Sequence, residues 1–193
     1  MTHFSISPAA IFIFACVYFF DGIEGLSSVV ISATVHEAGH FIAIRAFGGR
    51  AAEMRLDASG ACIVTAGDLG DAGSVIALLS GPAAGIALAL ICAKMPQSSL
   101  MLRISGVSLA LSAYNLLPAL PLDGGRALII VLKRFLSPCA ADNFMFALGL
   151  IIGTALCVAG LTFLSGSIGL TLVAAGLWIL AAQSGLVKTL RLV

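Results

Sequence analysis

The sequence has few charged residues. Asp, Glu, Lys and Arg make up 10% of its 193 residues, whereas 60% of the residues are hydrophobic. Soluble domains carry about 25% charged residues, so this scarcity excludes an ordinary soluble domain and indicates an integral membrane protein. The net charge of +1 and the lack of a basic patch predict no nucleic-acid partner. No cationic segment precedes the first apolar run, and we therefore expect no cleaved signal peptide.

Paired cysteines are also lacking. The five cysteines are odd in number and never form a Cys-x-x-Cys pair; they are Cys16, Cys62, Cys92, Cys139 and Cys157. We interpret them as small hydrophobic residues of the core or of the lipid face, and not as disulfide partners or metal ligands.

Long apolar runs occupy most of the chain. At about 20 residues for each spanning helix, they predict about six transmembrane helices, at residues 8–20 (extendable to 23), 26–47, 73–93, 100–117, 143–163 and 168–187. A polar turn at Asp21–Gly25 separates the first two spans. We expect a single membrane-embedded domain over 1–193, with a core at about 26–136 and packing helices at about 143–187.

Residues 50–66 differ from the apolar runs around them. Charged and apolar residues alternate from Glu53 to Asp57, Ser59-Gly60 follows, and a β-branched run comes next. This period of two predicts a β-hairpin. The expected fold class is therefore an all-α polytopic membrane protein with a small membrane-associated β-hairpin after the second span.

The distribution of basic residues predicts the orientation in the membrane. With six spans, one side holds most of the basic residues and the other holds only Lys94 and Arg103. Those on the first side include Arg45, Arg50, Arg55, Lys133, Arg134, Lys188 and Arg191. The positive-inside rule places the side rich in basic residues, with both termini, in the cytoplasm. We therefore expect a multi-pass protein of the cell membrane, in contact with the lipid bilayer.

Two of the three histidines flank a glutamate inside the second predicted span. Ionisable side chains in lipid are energetically expensive and are usually functional. His36 and His40 are spaced i, i+4 and share one helix face, where they can ligate one zinc ion while Glu37 serves as general base. The alternative without chemistry is that the two imidazoles are hydrogen-bonding partners between helices.

A zinc hydrolase site needs a third protein ligand. Asp123 is the only acidic residue of the fourth-span region, and it lies in the segment Asn115–Gly125, where two prolines interrupt the helix. Non-helical backbone at membrane depth is tolerated only where it lines a cavity or is buried in protein. We therefore predict one Zn²⁺ per chain, held by His36, His40 and Asp123. The alternative is that Asp123 is a helix cap or an interfacial carboxylate.

The remaining roles follow from this arrangement. Zinc lowers the pKa of its bound water toward neutrality, so Glu37 would accept a proton and pass it to the leaving amine. Asn115 could donate a hydrogen bond to the substrate peptide or to the developing oxyanion, or serve as a structural contact between helices. We interpret Gly81 and Gly85 as a small-xxx-small helix contact.

Together, His36–His40 and Asn115–Gly125 resemble the motifs of the site-2 protease family of intramembrane zinc metalloproteases. The second segment matches the family pattern Asn-x-x-Pro-x-x-Pro-Leu-Asp-Gly-Gly in full, and the resemblance covers about residues 26–136. It implies that His36, His40 and Asp123 are zinc ligands, that Glu37 is the catalytic base, and that Asn115 lies near the substrate backbone. It also implies regulated intramembrane proteolysis of a membrane-anchored protein or pro-protein near the cytoplasmic side.

The chain is most similar to the compact branch of that family that includes the sporulation factor proteases. It departs from the pattern at Gly85, where many members have Asn. The alternative function is that of a non-catalytic protein that binds or transports metal through the membrane. Glu37 favours the protease, since a transporter needs no base beside its first ligand, and the last two predicted spans carry no charged residue.

Overall fold

Two helical stretches that meet at Gly22 form the first element. In the computed structural model, which describes residues 3–6, 8–57, 60–66, 69–95, 98–163 and 167–183, helix α1 is Pro8–Ala46. Gly22 interrupts it with φ 68° and ψ −164°, a left-handed conformation that glycine adopts without steric cost. The polar turn expected over residues 21–25 is therefore a break at one residue.

A three-stranded sheet lies beside the ends of α1. Strands β2 (Arg50–Asp57) and β3 (Gly60–Ala66) are antiparallel and occupy the place of the expected hairpin. A further strand, β1 (His3–Ile6), pairs in parallel with β2, so that β2 is the central strand. Strand β1 was not predicted from the sequence, because its pairing partner follows 50 residues later and a four-residue strand has no clear periodicity.

The pairing of β1 with β2 requires the chain to double back within α1. A straight helix of 39 residues would separate its ends by about 58 Å. The strands that flank α1 are hydrogen-bonded neighbours, which lie only about 5 Å apart. Since Gly22 is the non-helical residue inside α1, the two stretches on either side of it run in opposite directions, as two successive spans would.

Two compact units make up the chain, Met1–Asn115 and Leu116–Val193. In the first unit, α2 (Gly70–Lys94) and α3 (Ser99–Asn115) pack against α1 and against each other. A small core of Ala43, Ile44 and Ala77, with Leu69 against it, lies near the end of α1. A single protease domain over the whole chain stays a prediction.

The second unit contains α4 (Asp123–Phe135), α5 (Pro138–Thr162) and α6 (Ser167–Gln183). We expected the fifth span from residue 143, but the helix begins at Pro138 because Ser137 caps it, accepting a hydrogen bond from the Ala140 N–H at 3.3 Å. Serine at the N-cap followed by proline at the first helical position is a favourable helix start.

Small residues allow α5 and α6 to pack closely. A methyl group added at Gly176 would lie 2.6 Å from the Gly153 carbonyl oxygen and 2.7 Å from Cys157 Sγ. Such small residues are typical of helix contacts in membranes. Among the described residues, three helices are long and apolar enough to cross a membrane, within 11–46, 70–94 and 138–162, and 169–183 is a shorter apolar helix. The chain is thus a membrane protein, and the number of six spans stays a prediction.

Candidate metal centre

The two histidines of α1 converge on each other. His36 and His40 are 3% and 8% exposed, and their Nε2 atoms lie 3.2 Å apart. The rings meet edge to face at 77°, with centroids 4.9 Å apart. The i, i+4 spacing on one helix face thus brings two imidazole nitrogens close together.

Helix α2 fixes the orientation of the His40 ring. His40 Nδ1 lies 2.8 Å from the Ala77 carbonyl oxygen. Because a carbonyl can only accept, we assign the Nδ1–H to His40, which leaves a lone pair on Nε2. Histidines that ligate metals almost always donate their other ring N–H in this way, often to a backbone carbonyl.

Two glycines allow α1 and α2 to approach each other at this point. A methyl group added at Gly81 would collide with the His40 imidazole, and one at Gly39 would lie 2.8 Å from the Ala84 side chain. Gly39 is the glycine between Glu37 and His40 in the motif. The interpretation of Gly81 as a helix contact was therefore incomplete, since the same contact seats the His40 ring.

A ladder of buried serines continues the histidine face of α1 toward the bend at Gly22. Ser32, one turn before His36, is fully buried, as are Ser108 and Ser112 on α3. Ser108 Oγ donates to Ser32 Oγ at 2.8 Å. His36 follows Ser32 by four residues on α1, and Ser112 follows Ser108 by four residues on α3, which is about 6 Å along each helix. Because the two helices run in the same direction, Ser112 lies near the depth of His36.

Gly85 also lies on this ladder. A methyl group added there would collide with Ser112 Oγ, and that hydroxyl is buried without a hydrogen-bond partner among the described residues. The space that a side chain at Gly85 would occupy is therefore filled by the Ser112 hydroxyl from α3.

Charged residues mark the far end of the same helices, at the bend of α1. Arg103 lies 3.5 Å from the carboxylate of Asp21 and 3.7 Å from that of Glu24. Ser99 Oγ also donates to the two Glu24 oxygens, at 3.0 and 3.1 Å. The beginning of α3 is thus fixed beside the bend, which places the exposed charges and the buried histidines at opposite ends of the three-helix unit.

In the second unit, Asp123 is the first residue of α4. The non-helical segment 116–122 precedes it and folds back on the first turn of the helix. A methyl group at Gly124 would collide with the Leu116 carbonyl, and one at Gly125 would lie 2.7 Å from the Leu120 nitrogen. The two glycines therefore allow a close backbone approach.

Two further predicted site residues have these positions. Glu37 is half-buried on α1, one residue after His36. Asn115 ends α3, and its Nδ2 donates to the Leu111 carbonyl one turn earlier at 3.0 Å. That bond belongs to the helix itself, and substrate binding by Asn115 stays a prediction.

The donor set fits a zinc ion. Two zinc-bound nitrogens at about 2.05 Å from a tetrahedral ion are about 3.3 Å apart, and the two Nε2 atoms are separated by 3.2 Å. His36 and His40 offer two imidazole nitrogens to one ion, and Asp123, the third predicted ligand, is a carboxylate. Two nitrogens and one oxygen are the ligand set of several catalytic zinc sites.

Two contributors to the seat of the His40 ring were not predicted from the sequence. The Ala77 carbonyl carries no side-chain signal, and Gly81 was assigned only to helix packing.

The comparisons with known proteins concern the fold. The structure is similar to that of a site-2 protease from Methanocaldococcus jannaschii, with a TM-score of 0.69 and 18% sequence identity over 95% of this chain and 91% of that chain. No family model and no curated protein matches the sequence. The chain therefore has the site-2 protease fold, in agreement with the resemblance of its motifs.

Proposed function

We propose that this protein is an intramembrane zinc endopeptidase that hydrolyses a peptide bond of a membrane-anchored protein near the cytoplasmic side of the bilayer. One observation carries the proposal: the Nε2 atoms of His36 and His40 converge at 3.2 Å while Ala77 holds the other ring nitrogen of His40. The shared fold with a site-2 protease supports the same assignment.

In this proposal His36, His40 and Asp123 hold the zinc ion. Zinc bound there would act as a Lewis acid, which would polarise the scissile carbonyl and lower the pKa of a bound water. The glycines beside Asp123 give its segment a compact fold, which limits the positions that the carboxylate can adopt.

Glu37 is the proton-transfer group of the proposal. It is half-buried and follows His36 directly on α1, beside the histidine face. From there it would take a proton from the attacking water and deliver it to the leaving amine. Positioned general acid–base groups contribute about 10²- to 10⁴-fold to rate.

The decisive experiment compares Glu37→Gln with the wild type, both purified in detergent, by measuring bound zinc and cleavage of single-span membrane substrates. We expect zinc to be retained and cleavage to fall by about 10²- to 10⁴-fold. Glu24→Gln is the matched control, since the same substitution then lies on the same helix but at the bend beside Arg103.

Three results would contradict the proposal. Cleavage that survives in Glu37→Gln removes Glu37 as the base. If zinc binding survives in the Asp123→Asn/His40→Ala double variant, the two histidines are hydrogen-bonding partners and not metal ligands. Metal flux into proteoliposomes, with no cleavage by the wild type, would identify the metal transporter.

A further inference from the structure

Gln183, the last residue of α6, reaches the segment that leads to Asp123. Its Nε2 lies 2.9 Å from the Leu120 carbonyl oxygen. A carbonyl accepts and cannot donate, so the NH₂ end of the amide faces Leu120. Leu120 is three residues before Asp123 and lies in the non-helical segment 116–122.

Helix α5 leaves room for this contact. A methyl group added at Gly149 would lie 2.5 Å from Gln183 Nε2 and 2.6 Å from Cδ. Any side chain at position 149 would therefore displace the amide. A glycine on one helix thus accommodates a polar side chain of the next, which in turn contacts the backbone of the segment.

Two backbone hydrogen bonds lie within the segment itself. The Ala119 N–H donates to the Leu117 carbonyl at 2.8 Å, and the Leu122 N–H donates to the Ala119 carbonyl at 3.0 Å. Gln183 is the donor to the Leu120 carbonyl from a different helix, and this contact is partly buried. Buried backbone carbonyls require a donor, so the amide holds the segment at Leu120, while Gly125 lets the first turn of α4 pack against the segment at Ala119.

We infer that Gln183 is a positioning residue, which holds the Leu120 carbonyl and thereby sets the place of the Asp123 carboxylate. This inference rests on the proposed function, in which Asp123 is a metal ligand. It assigns the pair α5–α6 a role in the metal centre, whereas the sequence analysis treated these helices as packing helices only.

The test uses Gln183→Leu, which keeps the approximate size of the side chain and removes the donor. Two quantities are measured on the full-length protein in detergent: Co²⁺ and Zn²⁺ affinity by competition with a chelator, and hydrogen exchange of the Ala119 and Leu122 amides in the metal-free protein. We expect metal affinity to fall by about tenfold or more, the effect of removing a group that orients a ligand. Exchange at both amides should become faster.

Ile179→Ala is the matched control. Ile179 is fully buried on the same helix, one turn earlier, so its truncation destabilises the α5–α6 pair without removing the amide donor. If Gln183 had only a structural role, Gln183→Leu and Ile179→Ala would lose the same metal affinity when they lose the same thermal stability. If Gln183 positions the segment, metal affinity falls only in Gln183→Leu.

Gly149→Ala provides an independent route if Gln183→Leu folds poorly, because the added methyl displaces the same amide. Its effect on metal affinity should vanish in the Gly149→Ala/Gln183→Leu double variant, and additive losses would overturn the inference. Unchanged amide exchange and metal affinity in Gln183→Leu would also overturn it while leaving the proposed function intact. A wild type that binds no metal would remove the proposed function, and the positioning role with it.

Discussion

Replacement of Gly81 by alanine tests the seat of the His40 ring. The added methyl would fall against the imidazole, where Cδ2 would be 2.6 Å away and the ligating side of the ring closer still. Ordinary van der Waals contact begins at 3.4 Å, so Cδ2 alone must retreat by about 0.8 Å and the opposite side of the ring by more. Helix α1 resists this movement, because Gly39 already lies against the backbone of α2.

Two energetic consequences follow from that displacement. Overpacking of this kind destabilises a folded protein by about 1–3 kcal/mol, and weakening the hydrogen bond between His40 and Ala77 adds about 0.5–1.5 kcal/mol. A catalytic group misplaced by about 1 Å can lower the rate by about 100-fold. For Gly81→Ala we therefore expect metal affinity and cleavage to fall by about 100-fold each, with a lower melting temperature.

The assay measures chelator-competition affinity for Zn²⁺, cleavage of a single-span substrate and thermal unfolding in detergent. Gly106→Ala is the control, because a methyl there meets nothing within 4 Å and alanine favours the helix by up to about 1 kcal/mol. Wild-type metal affinity in Gly81→Ala would refute the contact between Gly81 and His40. An equal loss in Gly106→Ala would show that the effect is not specific to the histidine.

Further predictions concern the three-helix unit, each measured by unfolding in detergent. Gly85→Ala should destabilise the unit by about 1–3 kcal/mol, because the added methyl collides with Ser112 Oγ. Adding Ser112→Ala should restore stability, since the Ser112 Cβ would lie 3.6 Å from that methyl. A double variant no more stable than Gly85→Ala would contradict this. Ser108→Ala should lower the free energy of unfolding by about 0.5–1.5 kcal/mol in the wild type and by much less in a Ser32→Ala background. Equal losses of stability in the two backgrounds would exclude the hydrogen bond between the two hydroxyls. Arg103→Gln should lower the free energy of unfolding by less than about 1 kcal/mol, and this effect should disappear at high salt, because the Arg103 side chain is 45% exposed. A larger loss of stability that does not depend on salt would contradict the ion pairs at the bend.

Local features of the candidate site could be predicted from the sequence. Helix periodicity alone places His36 and His40 on one face, where their Nε2 atoms lie 3.2 Å apart. The glycines after Asp123 likewise act on the segment directly before it. Chain polarity and residue type suffice in such cases, because the interacting groups are a few residues apart.

The contacts between distant segments are visible only in the tertiary structure. Strand β1 pairs with β2 across the whole of α1, Gly81 accommodates His40, and Gln183 donates to Leu120 from 63 residues away. Nothing in the local sequence of a glycine or of a single amide identifies its partner, since that partner is set by which helix faces meet and at what depth. Apolar helices pack in many registers, and only the assembled packing selects one of them.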